Sequence, residues 1–376
     1  KAWVNSTNSS ERATNSGNYK NAYERNFKVV TSLSTYDYPV TISSIYPDGS
    51  GAVGSVTRTS DYSCSNDVKL ENMNLAMADY YLNGNNHSLH IGRGVANGNS
   101  NVASYVCGYT TNTASNSISL NNYTMRVESG RFTYAYGLYL SVNQQASTSS
   151  SITERIIFGS DYDRAKGTND KLTITNYFEL GHRIACTNSN AKAVVSILSG
   201  TFGSSNSGTE VYMGSVAAQS STTNCLLKRE LEVLGGSFLG GISGGVDYGV
   251  EAETEILKMR IKGGTVNQYV YGSGQYSAAF GSRKTIITGG NFNCWIAGGC
   301  YGKNEGGGVT DGDTYLYFGG KANQTSTGGI FGAGYGDYAT DDGYYTVNKS
   351  FVVVADEAQI AGNVFGGGNN GYCTDD

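Results

Sequence analysis

Six times along this chain an apolar run ends in a pair of small residues whose second member is glycine: TMRVESGRF, VSILSGTF, LEVLGGSF, MRIKGGTV, IITGGNF and LYFGGKA. The pairs are Ser129–Gly130, Ser199–Gly200, Gly235–Gly236, Gly263–Gly264, Gly289–Gly290 and Gly319–Gly320, and the last four follow one another at intervals of 28, 26 and 30 residues. A unit of that length holds three short strands and their corners. It cannot bury an apolar face alone, so such units stack.

Aligning the pairs exposes columns. Two residues before the first member stand Val127, Ile197, Val233, Ile261, Ile287 and Tyr317. Four before it stand Met125, Val195, Leu231, Met259, Thr285 and Tyr315, and two after the second member stand Phe132, Phe202, Phe238, Val266, Phe292 and Ala322. Apolar positions therefore recur at period 2 within a strand and again from coil to coil, as one buried face demands. Intervening positions point outward; there Glu230 faces Lys258 and Glu232 faces Arg260 in successive coils, while Ile286 and Leu316 depart from the pattern. The reading is all-β: a right-handed, single-stranded parallel β-helix.

Composition agrees. Glycine reaches 52 residues and proline only 2, which suits interior strands that donate N–H groups on both sides. With Asn, Ser, Thr and Tyr abundant and 39% apolar residues, the chain is neither helix-forming nor disordered. A second corner follows six to nine residues after the later pairs, at Gly244–Gly245, Gly272–Ser273–Gly274, Gly298–Gly299, Gly328–Gly329 and Gly366–Gly367–Gly368. Segments 161–171, 301–313 and 334–345 read as insertions. Residues 1–64, less repetitive and holding Pro39 and Pro47, read as an N-terminal cap or irregular β region. Residues 65–376 read as the β-helix, and the unfinished repeat at the end predicts that the natural protein continues beyond Asp376.

Net charge of −5 argues against a nucleic-acid partner held by phosphate contacts, and no apolar run is long enough to cross a membrane. The seven cysteines are odd in number and widely spaced; they read as buried thiols, with a Cys294–Cys300 bridge as the one alternative. His87, His90 and His182 are too few for a shared metal site and read as solvent or loop residues.

Three carboxylate pairs fall in loops: Asp311 with Asp313, Asp341 with Asp342, and Asp161 with Asp163. Solvated loop residues are the first reading; the first two pairs are also candidate calcium ligands, since the ion takes hard oxygen donors. Catalysis by a carboxylate pair is the remaining reading. Arg-Ile-Lys at 260–262 also occurs in polygalacturonase-like β-helix hydrolases, but the Asn-Thr-Asp, Asp-Asp and Gly-His-Gly elements that accompany it there have no ordered counterpart here. Tyr269, Tyr271, Tyr301, Tyr335, Tyr338 and Tyr344, with Tyr276 and Tyr345, cluster in the last third. They either pack loops onto the flank or form a stacking surface for a sugar or a protein; the first six are the candidate ligand-binding residues.

The strand–Gly-Gly-x-Phe–corner pattern and the ending NVFGGGNNG resemble the glycine-cornered β-helix repeats of large bacterial cell-surface proteins described as adhesin-like. The resemblance covers roughly residues 65–376 and carries no catalytic motif. It implies a secreted or envelope location and a structural module that binds glycan or a surface protein through its lateral face and loops. A polysaccharide lyase or glycoside hydrolase, and a phage tail-fibre or spike segment, are the alternatives on this scaffold; oligomeric state stays open.

Overall fold

The computed structural model describes residues 55–77, 79–111, 117–140, 146–182, 184–186, 188, 190–203, 211–214, 228–245, 249–250, 257–274, 277–302, 310–336 and 347–368. The chain winds as a parallel β-solenoid, and each full coil places a strand on each of three faces. The first face stacks ten strands, from Val68–Leu70 and Leu89–Ile91 through Tyr123–Val127, Thr153–Phe158, Lys192–Ile197, Lys228–Val233 and Leu257–Ile261, then the first halves of Arg283–Phe292 and Thr314–Gln324, to Ser350–Val354. Parallel pairing is already present at Ser55–Thr57 and Tyr62–Ser63, within the stretch read as a cap; residues 1–54 lie outside the described residues.

Three inner ladders fill the core. On the first face Ile91, Val127, Phe158, Ile197, Val233, Ile261, Ile287 and Phe318 are successive rungs, each fully buried. On the second face Phe132, Ile174, Phe202, Phe238, Val266 and Phe292 line up. On the third, Leu82, Val106, Ala135, Phe178, Val211, Ile242, Val270, Ile296 and Ile330 do so. Burying one such side chain contributes about 1.5–3 kcal/mol, and repetition multiplies it.

The glycine pairs serve two different needs. The second member bends the chain at positive φ, 107° at Gly236 and 95° at Gly264. The first member leaves room for the neighbouring coil: a β-carbon on Gly263 would lie 2.6 Å from the Leu234 carbonyl oxygen.

The structure corrects five readings. In the ninth first-face strand Phe318 pairs with Ile287 and Leu316 with Thr285, so Tyr317 and Tyr315 point outward. An extra residue at Gly319–Gly320 shifts the register by one and brings Gln324, not Ala322, opposite Phe292. Gly332, rather than Gly328–Gly329, stacks on Gly298 at the later corner, because Phe331 and Ala297 are in register. Segment 161–171 opens with a helix, Asp161–Lys166, capped by Ser160 and ended by Gly167 at φ 67°. Glu230 does face Lys258, 3.7 Å apart, and Glu232 does lie opposite Arg260 in register, but its ion pair is with Lys262 at 2.6 Å.

Candidate functional site

Alternation along the third face decides where the tyrosines go. Val270 is an inner rung, so Tyr269 and Tyr271 point out of the wall. There they stack at 4.5 Å, Tyr271 meets Tyr301 at 5.5 Å, and Tyr301 meets Tyr335 at 5.9 Å, with Trp295 against Tyr335 at 4.4 Å. The structure thus gathers four of the six candidate tyrosines. It also turns their rings toward one another: Tyr269, Tyr271 and Tyr301 are 7%, 1% and 7% exposed, and only Tyr335 is half-buried. Chain that follows the glycine corner, Tyr301–Gly302 and Tyr335–Gly336, lies over this face and covers it. Tyr338 and Tyr344 lie outside the described residues.

A larger tyrosine assembly sits on the same face near the other end, and sequence reading missed it. Tyr81, Tyr105, Tyr134 and Tyr177 occupy successive coils in register. Tyr136, Tyr139 and Tyr212 join them, with ring centroids 4.2–6.5 Å apart. The signal was present as alternating tyrosines in FTYAYGLYL (132–140). Glu179 is buried in their midst, and burial first, then the Glu179 charge, pushes the Tyr136 and Tyr177 hydroxyls up from their ordinary value. Where rings stack along the solenoid axis their faces are occupied, so edges and hydroxyls are what remains for a ligand.

Of the four candidate calcium ligands, the Asp313 side chain lies within the described residues. Asp311 lies on strand Thr310–Asp311, paired with Phe280, and the Asp313 carboxylate accepts from the Tyr315 hydroxyl at 3.2 Å. Asp341 and Asp342 lie outside the described residues. Asp163, read as a loop residue, is buried in the helix, where it accepts from the Ser160 hydroxyl and pairs with Arg93 at 3.5 Å. Among the described residues no group of three or more His, Cys, Asp or Glu is close enough to hold a metal ion.

His90 belongs to a charged group on the first face. Lys69, His90 and Arg126 are in register on three coils. Glu128 takes His90 Nε2 at 3.2 Å and Arg126 Nε at 2.6 Å, and Lys69 pairs with Glu71 at 2.8 Å. Burial would raise the Glu128 carboxyl, but the His90 hydrogen bond and the Arg126 charge outweigh it and hold the group below the usual range.

Polar residues also enter the core. Glu154, Ala193 and Arg229 share one inner position, and Arg283 and Thr314 share an inner position farther along the same face. Glu154 is fully buried, and burial raises its carboxyl well above the carboxylate range. Arg229 Nη1 donates to the Met213 carbonyl at 2.9 Å. Cys294 and Cys300 are buried thiols rather than the bridge weighed from sequence, and Cys64 and Cys107 are buried thiols as well.

The second face differs in kind. After Arg131 its outward file runs Thr173, Thr201, Ser237, Thr265, Asn291, Asn323, six coils of short uncharged polar side chains. Two residues along, Asn267 accepts from Asn293 at 3.0 Å and Thr325 continues the row. Comparisons with protein-family models, with curated proteins and with solved structures gave no match. The geometry itself defines the class, a parallel β-solenoid. No helix among the described residues is long and apolar enough to cross a membrane.

Proposed function

We propose that this chain is an extracellular, adhesin-like module of a bacterial envelope, built as a right-handed parallel β-helix, that binds glycan or a surface protein through its lateral face and loops. The observation that carries the reading is the second face. From Thr173 to Asn323 its outward file repeats once per coil, about 4.8 Å apart, as hydroxyl and amide groups, with Arg131 before the file and Lys321 beside Asn323 as the charges at its margins. Such a surface offers donors and acceptors to a repeating, hydroxyl-rich partner, and the amide–amide bonds along the file limit the rotamer freedom lost on binding. Fold alone assigns no function, so the argument rests on this surface.

The test is a glycan array run beside a reducing-sugar release assay on the same glycans. Binding without release, lost in Thr265→Lys and kept in the first-face variant Lys258→Ala, is the expected result. A chelator arm tests the calcium expectation for Asp311, Asp313, Asp341 and Asp342; binding that survives the chelator removes calcium from the reading.

A second reading, turnover of a polysaccharide, draws on one observation: Glu128 orients His90 beside Lys69 and Arg126. A carboxylate-held imidazole is a general base when a cation steadies the developing charge. Sugar release that disappears in His90→Ala would favour this reading over the first.

A further inference from the structure

We infer that Tyr81 and Tyr105 form an oxidative cross-linking site, two phenols on adjacent coils that a one-electron oxidant joins into an intramolecular dityrosine. The residues are direct register partners, and their rings stack at 4.3 Å with planes 15° apart. Both rings are half-buried, so a small oxidant reaches them and each has room to turn. Tyr136 and Tyr139 are as close, at 4.2 Å, but Tyr136 is 2% exposed and cannot swing its ring edge toward a partner. Tyr134 and Tyr139 flank the pair at 5.1 Å and 5.9 Å, so a radical formed on either can be passed to it.

The chemistry balances with hydrogen peroxide and a haem peroxidase as oxidant. Each phenol gives up one electron and its hydroxyl proton. The two radicals couple through a carbon ortho to each oxygen, and the two displaced ring hydrogens return to the oxygens as the rings regain aromaticity. Two hydrogens leave in all, and one peroxide becomes two waters. Holding the partners in contact favours coupling within the chain over coupling between chains. The bond would close a loop between neighbouring coils, and in a solenoid whose stability is a sum of nearest-neighbour terms it would staple one interface.

The test treats the purified chain with peroxidase and peroxide and maps cross-linked peptides by mass spectrometry. Trypsin separates the partners, since cleavage at Arg93 puts Tyr81 and Tyr105 on different peptides. The expected product is a monomer in which those two peptides are joined with loss of two hydrogens, fragment ions placing the link at Tyr81 and Tyr105. Tyr81→Phe and Tyr105→Phe keep the stacked rings, and matching thermal melts check that they fold; each should lower the link at least tenfold. Denaturant should lower the wild-type yield about tenfold as well. Links at other tyrosines, links only between molecules, or equal yield in denaturant would overturn the proposal.

Discussion

The Glu154 carboxyl sits over the bare α-carbon of Gly137: a β-carbon there would lie 2.4 Å from Glu154 Oε1. Neither carboxyl oxygen has a hydrogen-bond partner among the described residues, and the side chain is fully buried. Burial disfavours the charged form, so the group is held well above the ordinary value. The sign follows. A carboxyl raised on folding favours the fold fully below its unfolded value, about 4.3, and that contribution is lost as pH climbs through the raised value. Denaturant unfolding between pH 4 and 9 should show wild-type stability falling with pH relative to Glu154→Gln. Parallel curves for the two proteins would refute the assignment.

The register at the ninth coil makes a sharper test of the architecture. Phe318 is a fully buried rung, whereas Tyr317, which the glycine alignment placed in that column, faces outward and donates its hydroxyl to Asp356 at 2.6 Å. Phe318→Ala should cost about 3–5 kcal/mol, the range for a buried aromatic. Tyr317→Ala, at the surface, should cost far less. Urea unfolding of both variants decides it, and a reversed order would restore the sequence alignment.

These two cases show what was legible. Period-2 apolar runs ending in glycine pairs located the inner ladders from Ile197 to Ile287, because one buried face and one bend recur together. The coil at Thr153–Phe158 escaped notice because Gly159, at φ 77°, turns it without a partner glycine. Before Gly319–Gly320 the glycine alignment is one residue out, which puts Tyr317 where Phe318 belongs and so on the opposite face; after the extra residue it is two out, so Ala322 stays inside while Gln324 faces Phe292. Alternation places Glu154, Arg229 and Arg283 inside, but their charge reads as surface. The same alternation correctly turns Tyr269 and Tyr271 outward, yet says nothing of the later strands that bury them.

Thiol reactivity follows from burial. Burial first, and the nearby Asp67 charge second, push the Cys64 thiol up to about 12; burial also raises Cys107 and Cys294. The thiolate is the nucleophile, so these sites should resist alkylation at pH 8 in the native chain and react once denatured. Peptide mapping after iodoacetamide treatment reads each site separately. Native labelling of Cys64 would show that this part of the wall is not closed.

Glycine is needed at the corners for reasons that differ from place to place, and alanine substitution separates them. At Gly264 φ is 95° and a β-carbon would lie 2.9 Å from the Gly236 carbonyl oxygen, so alanine meets both an unfavourable backbone and the coil beneath. A non-glycine residue in such a conformation costs on the order of 1–3 kcal/mol before any clash. At Gly366 nothing lies within 4 Å of the same position. Gly264→Ala should therefore lower the unfolding midpoint by several degrees, while Gly366→Ala leaves it within about a degree or raises it by restricting the unfolded chain. If both substitutions shift the midpoint equally, the stacking of Gly264 on Gly236 is not what that corner requires.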